Sequence, residues 1–261
     1  MVTMSYILSG DAAVYYEEYG TGEPLVLIHG LMGSVESHWR RFVPEYAKHF
    51  HTIAVDLRGH GKTNNPSRLL RLPQFVDDLH KLLDTLQIER VLLCGYSLGG
   101  YIALAYAIRC PEKVRAVVMH GTKFSWTAEA VAEATTSLDP QVAEAKVPEW
   151  TIALAKNHSP GNGPQGWRNL MAAARPFLTT LPAEGISQET LSGVRCPVLV
   201  SVCDGDPTIP RAEAEQLATA LPGGKMYVFE GCKHPLQSVP KHPFIEVTTR
   251  FFQSCFPQTP G

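Results

Sequence analysis

Long hydrophobic runs are missing from this 261-residue chain: the longest apolar stretches are of strand length, so none is expected to span a bilayer. Charge of one sign is missing as well. With 23 Lys and Arg against 25 Asp and Glu, the net charge of −2 gives no electrostatic case for nucleic acid or an anionic membrane. The opening Met1-Val2-Thr3-Met4-Ser5 has no basic segment followed by an apolar core, so no signal peptide and a cytoplasmic location are expected. The six cysteines (Cys94, Cys110, Cys196, Cys203, Cys232, Cys255) show no C-x-x-C spacing, and several sit in apolar runs. Buried free thiols are therefore expected, rather than a metal site or a disulfide framework. No His/Asp/Glu set has metal-ligand spacing and there is no G-x-G-x-x-G, so no metal and no nucleotide cofactor is expected.

What is present is ordinary for a soluble globular enzyme, with 44% hydrophobic and 18% charged residues and a length that supports a large core. The most informative stretch is Gly95-Tyr96-Ser97-Leu98-Gly99. It follows the apolar run Val91-Leu92-Leu93-Cys94 and precedes the helix-forming Tyr101-Ile102-Ala103-Leu104-Ala105. A serine on a sharp strand-to-helix turn needs small residues two positions before and after it, and Gly95 and Gly99 supply them. Such a turn lifts the hydroxyl clear of the backbone at the carboxyl end of a parallel sheet.

The rest of the chain supplies that sheet. Tyr6–Leu8 and Val14–Tyr19 flank a Ser9-Gly10-Asp11 turn and predict an edge hairpin. Leu25–Ile28, Thr52–Asp56, Val91–Cys94 and Val114–Met119 predict strands that alternate with helices near Val35–Tyr46, Leu72–Leu86 and Gly100–Ala107. Residues 123–193 break the alternation. They predict three or four helices divided at Leu138-Asp139-Pro140, at the cluster from His158 to Pro164 and at Leu181-Pro182, which is best read as a cap inserted in a core of 1–122 and 194–261. Strands at Pro197–Val202 and Lys225–Phe229, with helices at Ala212–Leu221 and Phe244–Phe252, close the pattern.

A serine nucleophile needs a base, and the base an orienting acid. The next two strands end in loops carrying Asp204 and Asp206, then His234, so the order Ser, Asp, His falls on three strand-end loops. On these residues the chain resembles the α/β-hydrolase-fold serine hydrolases, carboxylesterase-like with a helical cap, over nearly its whole length. The matching pieces are His29-Gly30, Asp56-Leu57-Arg58-Gly59-His60-Gly61, Gly95–Gly100, Asp206-Pro207-Thr208-Ile209-Pro210 and Gly231-Cys232-Lys233-His234. Cys203 departs from the pattern, where the family commonly has glycine. The resemblance implies a mostly parallel eight-stranded sheet with helices on both faces.

It further assigns Ser97 as nucleophile, His234 as base and Asp206 as acid. Asp204 is the competitor, whose alternative role is to cap nearby backbone N–H groups in a turn. The N–H groups of Leu31 and Leu98 would form the oxyanion hole. Among the ten histidines, His29 would anchor the oxyanion loop, His49 and His51 would lie on the surface, and His120 would be a packed residue at a strand end that could face the pocket. His29, Gly30, Trp126, Trp150 and Trp167, with Leu170, Met171 and Phe177, are candidate pocket residues, although more than half of the cap's apolar residues should simply pack. The expected activity is hydrolysis of short to medium carboxylic esters, a small-molecule substrate. Thioester, C–C bond, lactone or perhydrolysis chemistry on the same triad is the alternative, or a low-turnover receptor of the same fold.

Overall fold

The structure is a computed structural model and describes residues 3–256; Met1 and Val2 of the opening stretch lie outside the described residues. Alternation of apolar residues along the strands builds its two core layers. In β3 (Pro24–Ile28), Val26 and Ile28 face one side of the sheet and Leu25 and Leu27 the other. In β5 (Val91–Tyr96), Val91 and Leu93 likewise oppose Leu92 and Cys94. Strands buried on both faces in this way require helices on both sides of a parallel sheet.

The sheet has eight strands in the order β1-β2-β4-β3-β5-β6-β7-β8. The hairpin β1 (Thr3–Ser9) and β2 (Ala12–Tyr19) is antiparallel, and β2 also runs antiparallel to β4 (His51–Val55). Strands β4, β3, β5, β6 (Val114–His120), β7 (Val198–Cys203) and β8 (Gly224–Phe229) are mutually parallel. Their carboxyl ends therefore share one edge, where ligand sites of open α/β sheets form.

One face is covered by α2 (Leu72–Thr85), α3 (Leu98–Arg109) and α8 (Arg211–Ala220), through Phe75, Leu79, Leu82, Ile102 and Leu217. The other is covered by the turn Val35–Trp39, the short α1 (Val43–Tyr46) and α9 (Lys241–Ser254), where Trp39, Phe42, Tyr46, Phe244 and Phe252 are fully buried. Edge-to-face contacts of Phe42 with Trp39 and Phe244 lock this layer.

Four α-helices lie between β6 and β7, α4 (Ala128–Thr136), α5 (Pro140–Lys146), α6 (Pro148–Asn162) and α7 (Gly166–Glu184), followed by a 3-10 turn at Glu189–Gly193. The Leu138-Asp139-Pro140 break separates α4 from α5, with the Asp139 carboxylate accepting from the N–H groups of Gln141 and Val142. The cluster from His158 to Pro164 holds the break between α6 and α7, whereas the break expected at Leu181-Pro182 falls later, after Glu184. Helix α6 continues through Pro160 to Asn162, and α7 continues through Pro182. Each of these two prolines lies in the final turn, so the kink it imposes leaves the body of the helix intact.

Candidate active site

Ser97 sits between β5 and α3 at φ 52°, ψ −120°, in the sparsely populated region that sharp turns impose on a non-glycine residue. The flanking glycines are required sterically. A Cβ on Gly95 would lie 2.3 Å from the Gly100 nitrogen, and one on Gly99 2.1 Å from the Ile28 carbonyl oxygen. The elbow is also tied from outside: the Thr122 hydroxyl donates to the Ser97 carbonyl at 3.1 Å, and the Ser97 N–H donates to the His120 carbonyl at 2.8 Å.

The acid and base loops meet beside it. The Nδ1–H of His234 donates to Oδ2 of Asp206 at 2.8 Å, while Oδ1 accepts from the N–H groups of Thr208 and Ile209 at 2.8 and 3.0 Å. Burial pushes the Asp206 carboxyl upward; the His234 contact and the two amides outweigh it and hold the group below its ordinary value. Asp206 thus stays an anion that fixes the ring, leaving Nε2 of His234 for proton transfer. Asp204 does something different. Its carboxylate accepts from the N–H groups of Gly231 and Cys232, so it caps the turn that carries His234. Tyr96, next to Ser97, adds a third tie by donating its hydroxyl to the His234 carbonyl at 2.9 Å.

The cysteine expectation needs correction here. Cys203 and Cys232 are disulfide-bonded, with Cα atoms 5.2 Å apart, and join the end of β7 to the base loop. Adjacent parallel strands β7 and β8 bring the two residues together, a proximity that spacing in sequence does not reveal. Cys94, Cys110, Cys196 and Cys255 are free thiols.

On the opposite side the turn that carries Leu31 hangs from histidines. His29 donates from Nδ1 to the Gly30 carbonyl and accepts the Leu57 N–H at Nε2. His38 accepts the Gly30 N–H at Nδ1, at 3.2 Å. His158, from cap helix α6, donates from Nε2 to the Met32 carbonyl at 3.1 Å and accepts the Gly61 N–H at 2.9 Å. A ring nitrogen that accepts an N–H carries no proton, so all three are neutral. Burial drives the same way, taking His38 down to about 3, His158 to about 4 and His29 well below its usual range. Leu98 opens α3, so its N–H is among the helix's unpaired first-turn donors.

One cavity of about 270 Å³ joins these parts, with Ser97, His234, Leu31 and Leu98 on its wall. Trp126 and Trp150 of the cap segment also line it, as do Met32, Tyr101, Leu138, Leu178, Thr208 and Ile209. The other expected pocket residues do not. His29 and Gly30 stand behind the turn, and Trp167, Leu170, Met171 and Phe177 are buried in the cap-to-core packing, because α7 turns its apolar face to the core. His120 is packed among the rings of Tyr96, Phe229 and Phe244 and is bonded to the Ser201 hydroxyl. The sequence argument missed His38, His158 and Lys123; the last lines the cavity three residues after β6, and its place at a strand's carboxyl end was the available signal. No group of three or more His, Cys, Asp or Glu among the described residues could hold a metal ion.

A family model described as alpha/beta hydrolase fold matches residues 23–151. The chain is 28% identical over 260 residues to a 2-hydroxy-6-oxo-2,4-heptadienoate hydrolase of Pseudomonas putida, covering 94% of each chain. Among solved structures it is similar to a thermophilic esterase from Thermogutta terrifontis, at a TM-score of 0.80 and 21% identity over 98% of this chain and 100% of the other. It is also similar to a meta-cleavage product hydrolase from Pseudomonas fluorescens, at 0.80 and 22% over 97% and 98%.

Proposed function

Because the chain is an α/β-hydrolase-fold hydrolase, we propose that it cleaves short to medium carboxylic esters through an acyl-enzyme on Ser97. The carrying observation is the meeting of Ser97 and the Asp206-bonded His234 on the wall of one largely apolar cavity. Ser97 Oγ attacks the ester carbonyl as His234 Nε2 takes its proton. The N–H groups of Leu31 and Leu98 receive the developing oxyanion, a donor pair of the kind worth about 3–4 kcal/mol per bond. Collapse expels the alcohol with the proton from His234, and water, activated by the same base, releases the acid and restores Ser97.

Cleavage of a C–C bond next to a ketone is the second reading. It is favoured by the likeness, along 94% of both chains, to a relative named as a dienoate hydrolase. The same oxyanion hole would hold the attacked ketone, but the leaving carbon would need the proton. A p-nitrophenyl ester series from acetate to palmitate, run beside a vinylogous 1,5-diketone acid, separates the two. Saturable turnover that fades with acyl length and disappears in Ser97→Ala supports the ester reading. Turnover of the diketone alone supports the other.

A further inference from the structure

We propose that Lys123 selects substrates bearing a carboxylate on the acyl portion, away from the scissile carbonyl. This rests on the serine-hydrolase reading above and names the substrate class within it. Lys123 is the only lysine or arginine on the cavity wall among the described residues, and no Asp or Glu shares that wall. Its backbone adjoins Thr122, whose hydroxyl is bonded to the Ser97 carbonyl, so the ammonium is anchored one residue from a contact to the nucleophile's elbow.

The counterion stands outside the cavity. Glu213, in the first turn of α8, spends Oε1 on the N–H groups of Phe124 and Ser125, each at 2.8 Å, and holds Lys123 Nζ only through Oε2 at 3.1 Å. The two backbone amides hold the Glu213 carboxylate in place, and the other two ammonium protons have no hydrogen-bond partner among the described residues. A part-buried carboxylate behind and an ammonium in front orient a positive end toward the bound molecule. The walls around it are apolar, among them Leu31, Leu138, Leu178 and Ile209, which weakens competition from water and strengthens an ionic contact. Trp126, on the same wall, has a buried indole N–H with no acceptor, a further donor beside the ammonium.

A Lys–Glu tie that merely fastens the start of the cap would make no distinction between charged and neutral substrates, and the test reads that distinction. Mono-p-nitrophenyl esters of succinic, glutaric and adipic acids are compared with p-nitrophenyl esters of butyric, valeric and caproic acids. In the wild type the diacid monoesters are preferred at one chain length. Lys123→Met lowers kcat/KM for that diacid ester by about tenfold to a hundredfold, mainly through KM, and changes the neutral esters less than threefold. Lys123→Arg restores most of the preference. Equal losses on both series, or an unchanged ratio in Lys123→Met, overturn the proposal.

Binding of 4-oxopentanoate against 2-pentanone to Ser97→Ala protein, by titration calorimetry, separates this from failure of the hydrolase reading. Tighter binding of the keto acid that Lys123→Met abolishes upholds the carboxylate site even if no ester turns over. Equal binding of both with Lys123 intact overturns it.

Discussion

On one side of Ser97 the acid and base loops are joined by the Cys203–Cys232 bridge and capped by the Asp204 carboxylate, whereas on the other the oxyanion turn is suspended from neutral imidazoles. The first side is fastened within the core, between adjacent strands. The second is fastened partly from the helices between β6 and β7, because His158 belongs to α6 and reaches both Met32 and Gly61. The comparison teaches that the two halves of one site answer to different conditions: the base side to reductant, the oxyanion side to acid.

The largest effects should come from the groups that act on the substrate. Ser97→Ala is expected to lower kcat by about 10⁴-fold or more on any substrate the wild type turns over, with an unchanged circular dichroism spectrum. Asp206→Asn should fall in the same range, near 10⁴-fold, since the ring of His234 loses its orienting anion. Asp204→Asn is expected to keep kcat within about tenfold, because this carboxylate only accepts from the Gly231 and Cys232 N–H groups, a role the Asn side-chain oxygen can keep. Steady-state rates of the two variants side by side sharpen the division between acid and cap; an equal collapse of both would break it.

Acid comes next. His29, His38, His60 and His158 are buried with their values pushed down, His38 to about 3 and His158 to about 4. The unfolded chain takes up protons on these rings at about 6.5 while the native state refuses them, so stability is whole above that pH and falls as pH falls toward 4. Thermal unfolding between pH 7 and 4 should show Tm dropping steeply, and His158→Gln should lessen the slope by about one proton. A flat Tm over that interval would break the account of the oxyanion side.

The bridge should matter least for rate and visibly for stability. It closes a loop with a separation of 29 residues, and opening it by Cys203→Ser with Cys232→Ser should cost roughly 3–4 kcal/mol. Denaturant unfolding measures this. The rate should change only a few-fold, since Asp204 and Tyr96 still hold the base loop.

Much of the fold was legible because buried parallel strands leave continuous apolar runs, and because the elbow needs glycine at two fixed places. The eight-stranded, mostly parallel sheet follows from those signals. The resemblance supplied roles for Ser97, Asp206 and His234, and the geometry brings the acid and base within 2.8 Å. What sequence could not show were contacts between distant segments: the Cys203–Cys232 pairing, made by neighbouring strands, and the reach of His158 across 126 positions to Met32. The helices between β6 and β7 were legible, as were the breaks at Leu138-Asp139-Pro140 and in the cluster from His158 to Pro164, but Leu181-Pro182 is no break, since α7 runs on to Glu184. Nor could periodicity tell Trp150, which lines the cavity, from Trp167, which packs beneath it.

The central claim, that Ser97 is a nucleophile activated by His234, is tested most directly by titrating the folded protein with a fluorophosphonate and mapping the adduct by mass spectrometry. The account predicts one adduct per chain, on Ser97, formed at least about 10³-fold more slowly in His234→Ala. A folded wild-type protein that forms no adduct, or forms it on another residue, would contradict it.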